Sequence, residues 1–466
     1  MKNKISKATL ELLKAGRAIH FNHYGKQLPY ACIRAQGIQQ TLVRLEEPNA
    51  GEKINVLDVS GGYGSACLGA APPAMQEAFH LAIHNDGYVT DELGSLSRAR
   101  LLNKLLGKNG LWCDHFPEGE YQVSGRNSGS EGLELALRMA YESRFDYRYQ
   151  RPVVGKEHRN IILAFEGAWH GWTSGLIPLL NRRHFRVGLP EFEHENKYGV
   201  KFDFLPFAEL SALEEYFKKN GDQILTVVVE PIQGDAGIIV PPEGYLRKLS
   251  DLCRVNNVVL IADEVLTFAK TGEFFAMRDR EGPIYTDISV IGKNLGMGVI
   301  PVSMVIAKKE LTVRVCGAIA TCDLRPITCQ IIEKGIDYIL HHHLLEKSKL
   351  HGDQLQQQLA VLVENFPEIY AEMRGIGGVY GIELTEKASH KLLELRTIMI
   401  ENGVYLEFMA GAGKRSKNAR YLFPTMRVAP PLIASDAEIQ EIIRRIKRAS
   451  QAFAKLLHVE SFKSAA

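Results

Sequence analysis

Three short segments carry side chains whose types and spacing could do chemistry together. Asn127-Ser128-Gly129-Ser130-Glu131 is a small, polar, glycine-containing cluster that runs straight into Leu133, Leu135, Leu137 and Met139. Free backbone N–H groups at the start of a helix, with no side chain in the way at Gly129, make a site for an anion. Asp263, in Ile261-Ala262-Asp263-Glu264-Val265, ends an apolar run of strand type. In open α/β sheets ligands bind outside that end of a strand. About 30 residues on, Lys293 follows a second apolar run and precedes the glycine-rich Asn294-Leu295-Gly296-Met297-Gly298. Partial desolvation there lowers the pKa of an amine and makes it nucleophilic. Each segment alone has a plainer reading: an N-cap without a ligand, a loop-capping acid, a solvated lysine.

Together they are the parts that hold pyridoxal 5′-phosphate: a lysine to form a Schiff base, a carboxylate to keep the pyridine nitrogen protonated, and a helix N-terminus for the phosphate. The chain resembles the class III aminotransferases. These are fold-type I pyridoxal-phosphate enzymes that include ornithine and 4-aminobutyrate aminotransferases and glutamate-1-semialdehyde aminomutase. The likeness runs from about residue 50 to about 450. Five motifs carry it in order: Asn127 to Glu131; Ala168-Trp169-His170-Gly171; Glu230-Pro231-Ile232-Gln233-Gly234 with Val240-Pro241-Pro242-Glu243-Gly244-Tyr245; Asp263-Glu264-Val265; and Gly292-Lys293.

The resemblance implies roles position by position. Lys293 would be the Schiff-base lysine and proton shuttle, and Asp263 the partner of the pyridinium nitrogen. Ser128, Gly129 and Ser130 would bind the phosphate, and Trp169 would stack on the ring. Thr321, with Pro326 fixing the register, would reach the phosphate of a neighbouring subunit, which implies a homodimer with shared sites. Arg427, in Met426-Arg427-Val428-Ala429-Pro430-Pro431, would grip a substrate carboxylate as a bidentate pair. Glu230 would neutralise that arginine when the substrate has no carboxylate there, and Tyr63 would line the site. The implied reaction is ping-pong transfer of an amino group between a small-molecule amino donor and a keto acid or aldehyde.

Several positions depart from the family pattern. Leu266-Thr267-Phe268 follows Asp-Glu-Val where a Gln-Thr-Gly is common, and leucine cannot hydrogen-bond the ring oxygen. The aminomutase branch also has an apolar residue there, so an aminomutase or racemase is the alternative reading; a non-catalytic protein that kept the fold is the second. Ala70-Ala71-Pro72-Pro73 and Asp323-Leu324-Arg325-Pro326 replace other family segments. Arg126 and Arg325 are open to two readings, recognition of an acidic substrate or a structural ion pair.

The elements that must position these residues show in the apolar pattern. Val227 to Val229, Val258 to Ala262, Ile288 to Ile291 and Val302 to Ala307 are continuous apolar runs of the kind buried on both faces. Between the first two, Tyr245, Leu246, Leu249 and Leu252 recur at helical spacing, a βαβ rhythm that predicts a largely parallel sheet flanked by helices. Ser435-Asp436-Ala437-Glu438 is a capping-box pattern ahead of an amphipathic run from Ile439 to Leu456. A short strand is expected at Val379 to Leu384. The fold class is therefore α/β: a large cofactor-binding domain over 76–334, and a smaller α+β domain formed by 1–75 and 335–466.

At 466 residues the chain is about three times the roughly 150 residues of an average domain and long enough to bury a large core. Lys+Arg 56 against Asp+Glu 54 gives no basic surplus for nucleic acid or an acidic membrane. Seven scattered cysteines without CxxC spacing read as reduced thiols. His341-His342-His343 reads as an exposed stretch of helix, and no metal site is expected. The first residues lack the apolar core of a secretory signal, and no run of 18 apolar residues occurs, so a cytoplasmic protein is expected.

Overall fold

Residues 3–23, 26–86, 88–181, 199–411 and 422–464 are described by the structure, a computed structural model. Near the start, β1 (Tyr30–Gln36), β2 (Gln39–Arg44) and β3 (Lys53–Asp58) form an antiparallel meander. Seven strands then build one sheet: β4 (Tyr121–Arg126), β5 (Ile161–Phe165), β6 (Lys201–Leu205), β7 (Ile224–Val229), β8 (Val259–Glu264), β9 (Ile288–Ile291) and β10 (Ser303–Lys308). Their order is β4-β10-β9-β8-β7-β5-β6. The pairs from β9 to β6 are parallel, while β10 runs against both of its neighbours, so β4 points the same way as β9.

The apolar runs predicted this sheet because both of its faces are covered. Val227 and Val229 of β7, with Leu260 and Ala262 of β8, face a core that holds the Tyr245–Val255 helix. Their alternates Val228, Val259 and Ile261 face the core that holds the Gly129–Glu142 helix. A strand with apolar partners on both sides has no polar face to alternate with.

In the C-terminal part, β11 (Tyr370–Ile376) and β12 (Val379–Leu384) form a hairpin, and β13 (Val404–Tyr405) runs parallel to β3. β14 (Glu407–Met409) and β15 (Thr425–Val428) complete an antiparallel sheet ordered β11-β12-β15-β14. The Asp436–Ser464 helix covers it with Ile439, Ile442, Ile446 and Phe453. Its start is the predicted capping box: Ser435 Oγ accepts from Glu438 N at 3.3 Å, and Glu438 Oε2 accepts from Ser435 N at 2.9 Å.

Residue 335 lies inside the helix Pro326–His341. The histidine run is helical only at His341, and His342 and His343 form the turn between two helices. The helix ends at His341, His342 N donates back to Tyr338 O, and His343 turns at φ 52° before the helix Leu344–Asn365 begins. No described helix is long and apolar enough to cross a membrane.

Candidate active site

Four neighbouring parallel strands end at one edge of the large sheet, and each delivers a predicted residue there. β5 is followed by Trp169, β7 runs directly into Glu230, β8 carries Asp263, and β9 is followed two residues on by Lys293. The register places Asp263 beside Val290 and Glu264 beside Ile291. β4, pointing the same way, runs into the Asn127–Glu131 turn.

That turn is capped by its own side chains. Ser128 Oγ accepts from Glu131 N at 3.2 Å, and Glu131 Oε2 accepts from Asn127 N at 2.9 Å. The helix N-terminus behind it still presents first-turn N–H groups with no acceptor inside the helix. Two close approaches set its position. A Cβ on Gly129 would lie 2.7 Å from Val265 Cγ1, two residues past Asp263. A Cβ on Gly171, whose φ is +116°, would lie 2.2 Å from Ser130 Oγ. The phosphate turn, the aromatic segment and the end of β8 therefore fit only as a set. Gly171→Ala is expected to cost about 1–3 kcal/mol through backbone strain and to push Ser130 aside. A fall in both thermal midpoint and cofactor affinity checks this.

Asp263 is buried, its Oδ2 lies 2.8 Å from His170 Nδ1, and its Oδ1 accepts from Val265 N at 3.1 Å. His170 Nε2 is buried and makes no hydrogen bond to a described residue. Trp169 is half-buried, with its ring edge-on to Trp172 at 4.7 Å. Glu230 is buried too: Oε2 accepts from Trp169 N at 2.9 Å and Oε1 from Gly234 N at 3.2 Å. Burial, with Asp263 nearby, pushes its carboxyl up to about 7 while His170 opposes the shift.

Lys293 opens a single 3₁₀ turn at φ 45°, and its amine makes no hydrogen bond or ion pair to a described residue. Burial and the charge of Arg427 push the amine down to about 8, against Asp263, Glu230 and Asp235. A second amine, Lys270, donates to Gly64 O at 2.6 Å, and burial with Arg427 pushes it down to about 7. Both shifts disfavour the charged form. The folded protein thus binds fewer protons than the unfolded chain from these midpoints up to about 10.4, and stability rises with pH across that window. NMR titration of isotope-labelled lysines in the cofactor-free protein is expected to show two displaced midpoints, with Lys270→Met removing the lower.

Arg427 is buried on β15 and pairs with Glu407 on β14. Burial pulls its guanidinium down to about 10, opposed first by Asp235 and then by Tyr63. Here Glu230 is held by two backbone N–H groups, and the carboxylate paired with Arg427 is that of Glu407. Tyr63 is 51% exposed at φ 58° in the Gly61–Gly64 turn. Thr321 is exposed, and its carbonyl accepts from Arg325 Nη2 at 3.5 Å. Arg325 lies over the ring of Tyr88 at 5.0 Å. Arg126 is bonded to Ser124 Oγ and Ala318 O and paired with Asp323 at 3.4 Å. Leu266 packs with Ile232, Ile238 and Ala429. Sequence reasoning assigned no role to His170, Asp235, Lys270 or Glu407. His170 and Asp235 lay in or beside quoted motifs, whereas Glu407 had no local signal.

This donor set fits pyridoxal phosphate: a helix N-terminus, a buried carboxylate, a buried imidazole nitrogen without a partner among the described residues and a desolvated amine converge on one edge. The aminotransferase class-III family profile matches residues 44–450. The mitochondrial ornithine aminotransferase of Oryza sativa subsp. japonica is 30% identical over 448 residues, covering 92% of this chain and 88% of that protein. Ornithine aminotransferase 2 of Staphylococcus aureus (strain MRSA252) is 29% identical, covering 92% and 97%. The crystal structure of the ornithine aminotransferase from Toxoplasma gondii ME49 shares the fold with a TM-score of 0.77 at 22% identity, covering 97% of both chains. A transaminase from the marine bacterium Virgibacillus does so at 0.75 and 20% identity, covering 96% and 100%. The chain belongs to the class-III aminotransferases, enzymes that transfer amino groups with pyridoxal phosphate.

Proposed function

We propose that the Lys293 site transfers an amino group from a small-molecule amino donor to a keto acid or aldehyde in two half-reactions. The observation that supports this best is the delivery of Lys293, Asp263 and the Gly129–Ser130 turn to one sheet edge. Ser128, Gly129 and Ser130 would hold the phosphate, Asp263 the ring nitrogen and Trp169 the ring face. Bound there, pyridoxal phosphate supplies a carbonyl for the amine and an electron sink that acidifies the donor carbon. Lys293 Nζ, poised near neutrality by desolvation, takes that proton and returns it. Asp263 would face the ring nitrogen, and His170 would orient Asp263. Glu230 fixes the backbone of Trp169. Arg427 meets a substrate carboxylate and Tyr63 closes the outer side.

Residues 76–334 would form the cofactor-binding domain, and 1–75 with 335–466 the smaller one. The near-balance of charge suits a cytoplasmic enzyme acting on small molecules rather than on nucleic acid or membranes. The exposed Thr321 would serve the phosphate of a second copy, making a two-fold homodimer. Thr321→Ala is expected to weaken cofactor retention by about 1–3 kcal/mol. A fully active monomer in sedimentation would contradict the shared site.

The relatives' names make ornithine the first donor to try. Added alone to the cofactor-loaded protein, an accepted donor should bleach its colour and release one carbonyl product per site. Leu266, apolar and buried beside the Glu230–Gly234 turn, favours the second reading, an aminomutase or racemase. If no donor releases a carbonyl compound and one substrate is isomerised with its nitrogen retained, the second reading replaces the first.

A further inference from the structure

The register of β14 against β15 sets Glu407 directly opposite Arg427. Both side chains are about 95% buried, 5% and 6% exposed respectively. Glu407 is carried by a strand whose backbone is hydrogen-bonded to that of Arg427, so its carboxylate is anchored by the sheet rather than by a mobile turn. Arg427 Nε and both carboxylate oxygens of Glu407 are buried without a hydrogen-bond partner among the described residues, so the two side chains meet as an ion pair. The pair therefore has unused donor and acceptor capacity on each side. Charges of both signs surround it: Asp235 acts on Arg427, and Arg427 in turn acts on Lys270 and Lys293. A substrate carboxylate that reaches Arg427 meets a guanidinium already engaged. A substrate without a carboxylate at that end has nothing to displace.

We propose that Glu407 is a specificity-determining residue. Held opposite Arg427 by strand pairing, it shields the guanidinium from carboxylates. It thereby favours primary amines and aldehydes that carry no carboxylate at that end. A carboxylate-bearing partner enters only by displacing Glu407. The inference rests on the reading of Arg427 as the substrate-facing arginine.

Glutarate, a dicarboxylate with no amino group to transfer, isolates this step from turnover. Calorimetric titration of glutarate into the cofactor-loaded protein should give weak binding in the wild type. In Glu407→Gln the affinity should tighten about tenfold or more, as a competing charge leaves the guanidinium. The gain should vanish when Arg427→Met is added. In steady state, KM for 2-oxoglutarate should fall in Glu407→Gln, while KM for butylamine should not. An unchanged or weaker glutarate affinity overturns the proposal, as does a gain that survives loss of Arg427. If Glu407→Gln does not fold, Glu407→Asp draws the carboxylate back by one methylene and should tighten glutarate by a smaller factor; no change there also overturns it. Failure of the transaminase reading is distinct, since it shows as absent amino transfer by the wild type.

Discussion

Replacing Lys293 with alanine is expected to lower turnover by roughly 10⁴-fold or more, since one group supplies both the nucleophilic amine and the proton carrier. The variant should fold. Position 293 already hosts a β-carbon at φ 45°, and the lost amine leaves no hydrogen-bonding partner unsatisfied among the described residues. Pyridoxal phosphate should still bind through Ser128, Gly129 and Ser130. Lys270 is the rival: it is buried, and its amine is depressed further, to about 7. Geometry decides between them. The Lys270 amine is committed to Gly64 O, while Lys293 stands at the end of β9 within reach of the charge of Asp263. Borohydride reduction of the loaded wild type, followed by peptide mass analysis, should mark Lys293. A mark on Lys270 would reverse the assignment. In Lys293→Ala the midpoint of Lys270 should rise, because one like charge has gone.

The sheet edge was legible because its strands are buried on both faces. Such strands appear as unbroken apolar runs, and the residues at their C-terminal ends are then the ligand-facing ones. Asp263 and Lys293 follow from that rule without knowledge of which strands pair. Arg427 was legible only through family resemblance. Glu407 was not legible at all: β14 and β15 are separated by a long connection, and nothing local says which residue on one faces which on the other. Lys270 lay beyond sequence reasoning for a similar reason. Its burial depends on the β11–β12 hairpin docking across it, where Gly378 N donates to Lys270 O at 2.9 Å. Glu230 differs: its place directly after an apolar strand was legible, whereas its backbone partners, Trp169 N and Gly234 N, were not.

Arg427→Ala is expected to raise KM for a carboxylate-bearing substrate by about 2–5 kcal/mol, some 30-fold to several thousandfold, while sparing an amine that lacks the carboxylate. The effect has two parts that one variant cannot separate. Removing the guanidinium takes away the substrate's partner. It also leaves Glu407 buried and unpaired, which by itself costs about 3–5 kcal/mol of stability and sets a negative charge where the substrate's negative charge must go. The double variant Arg427→Ala with Glu407→Gln distinguishes them. Neutralising both partners should restore most of the lost thermal stability, because no buried charge is then stranded. It should not restore carboxylate affinity, because no cation remains to receive the carboxylate. The coupling between the two sites should accordingly be large for stability. If the double variant recovers carboxylate affinity along with stability, the loss came from repulsion by Glu407. Arg427 would then be a structural partner of Glu407 rather than the residue that meets the substrate.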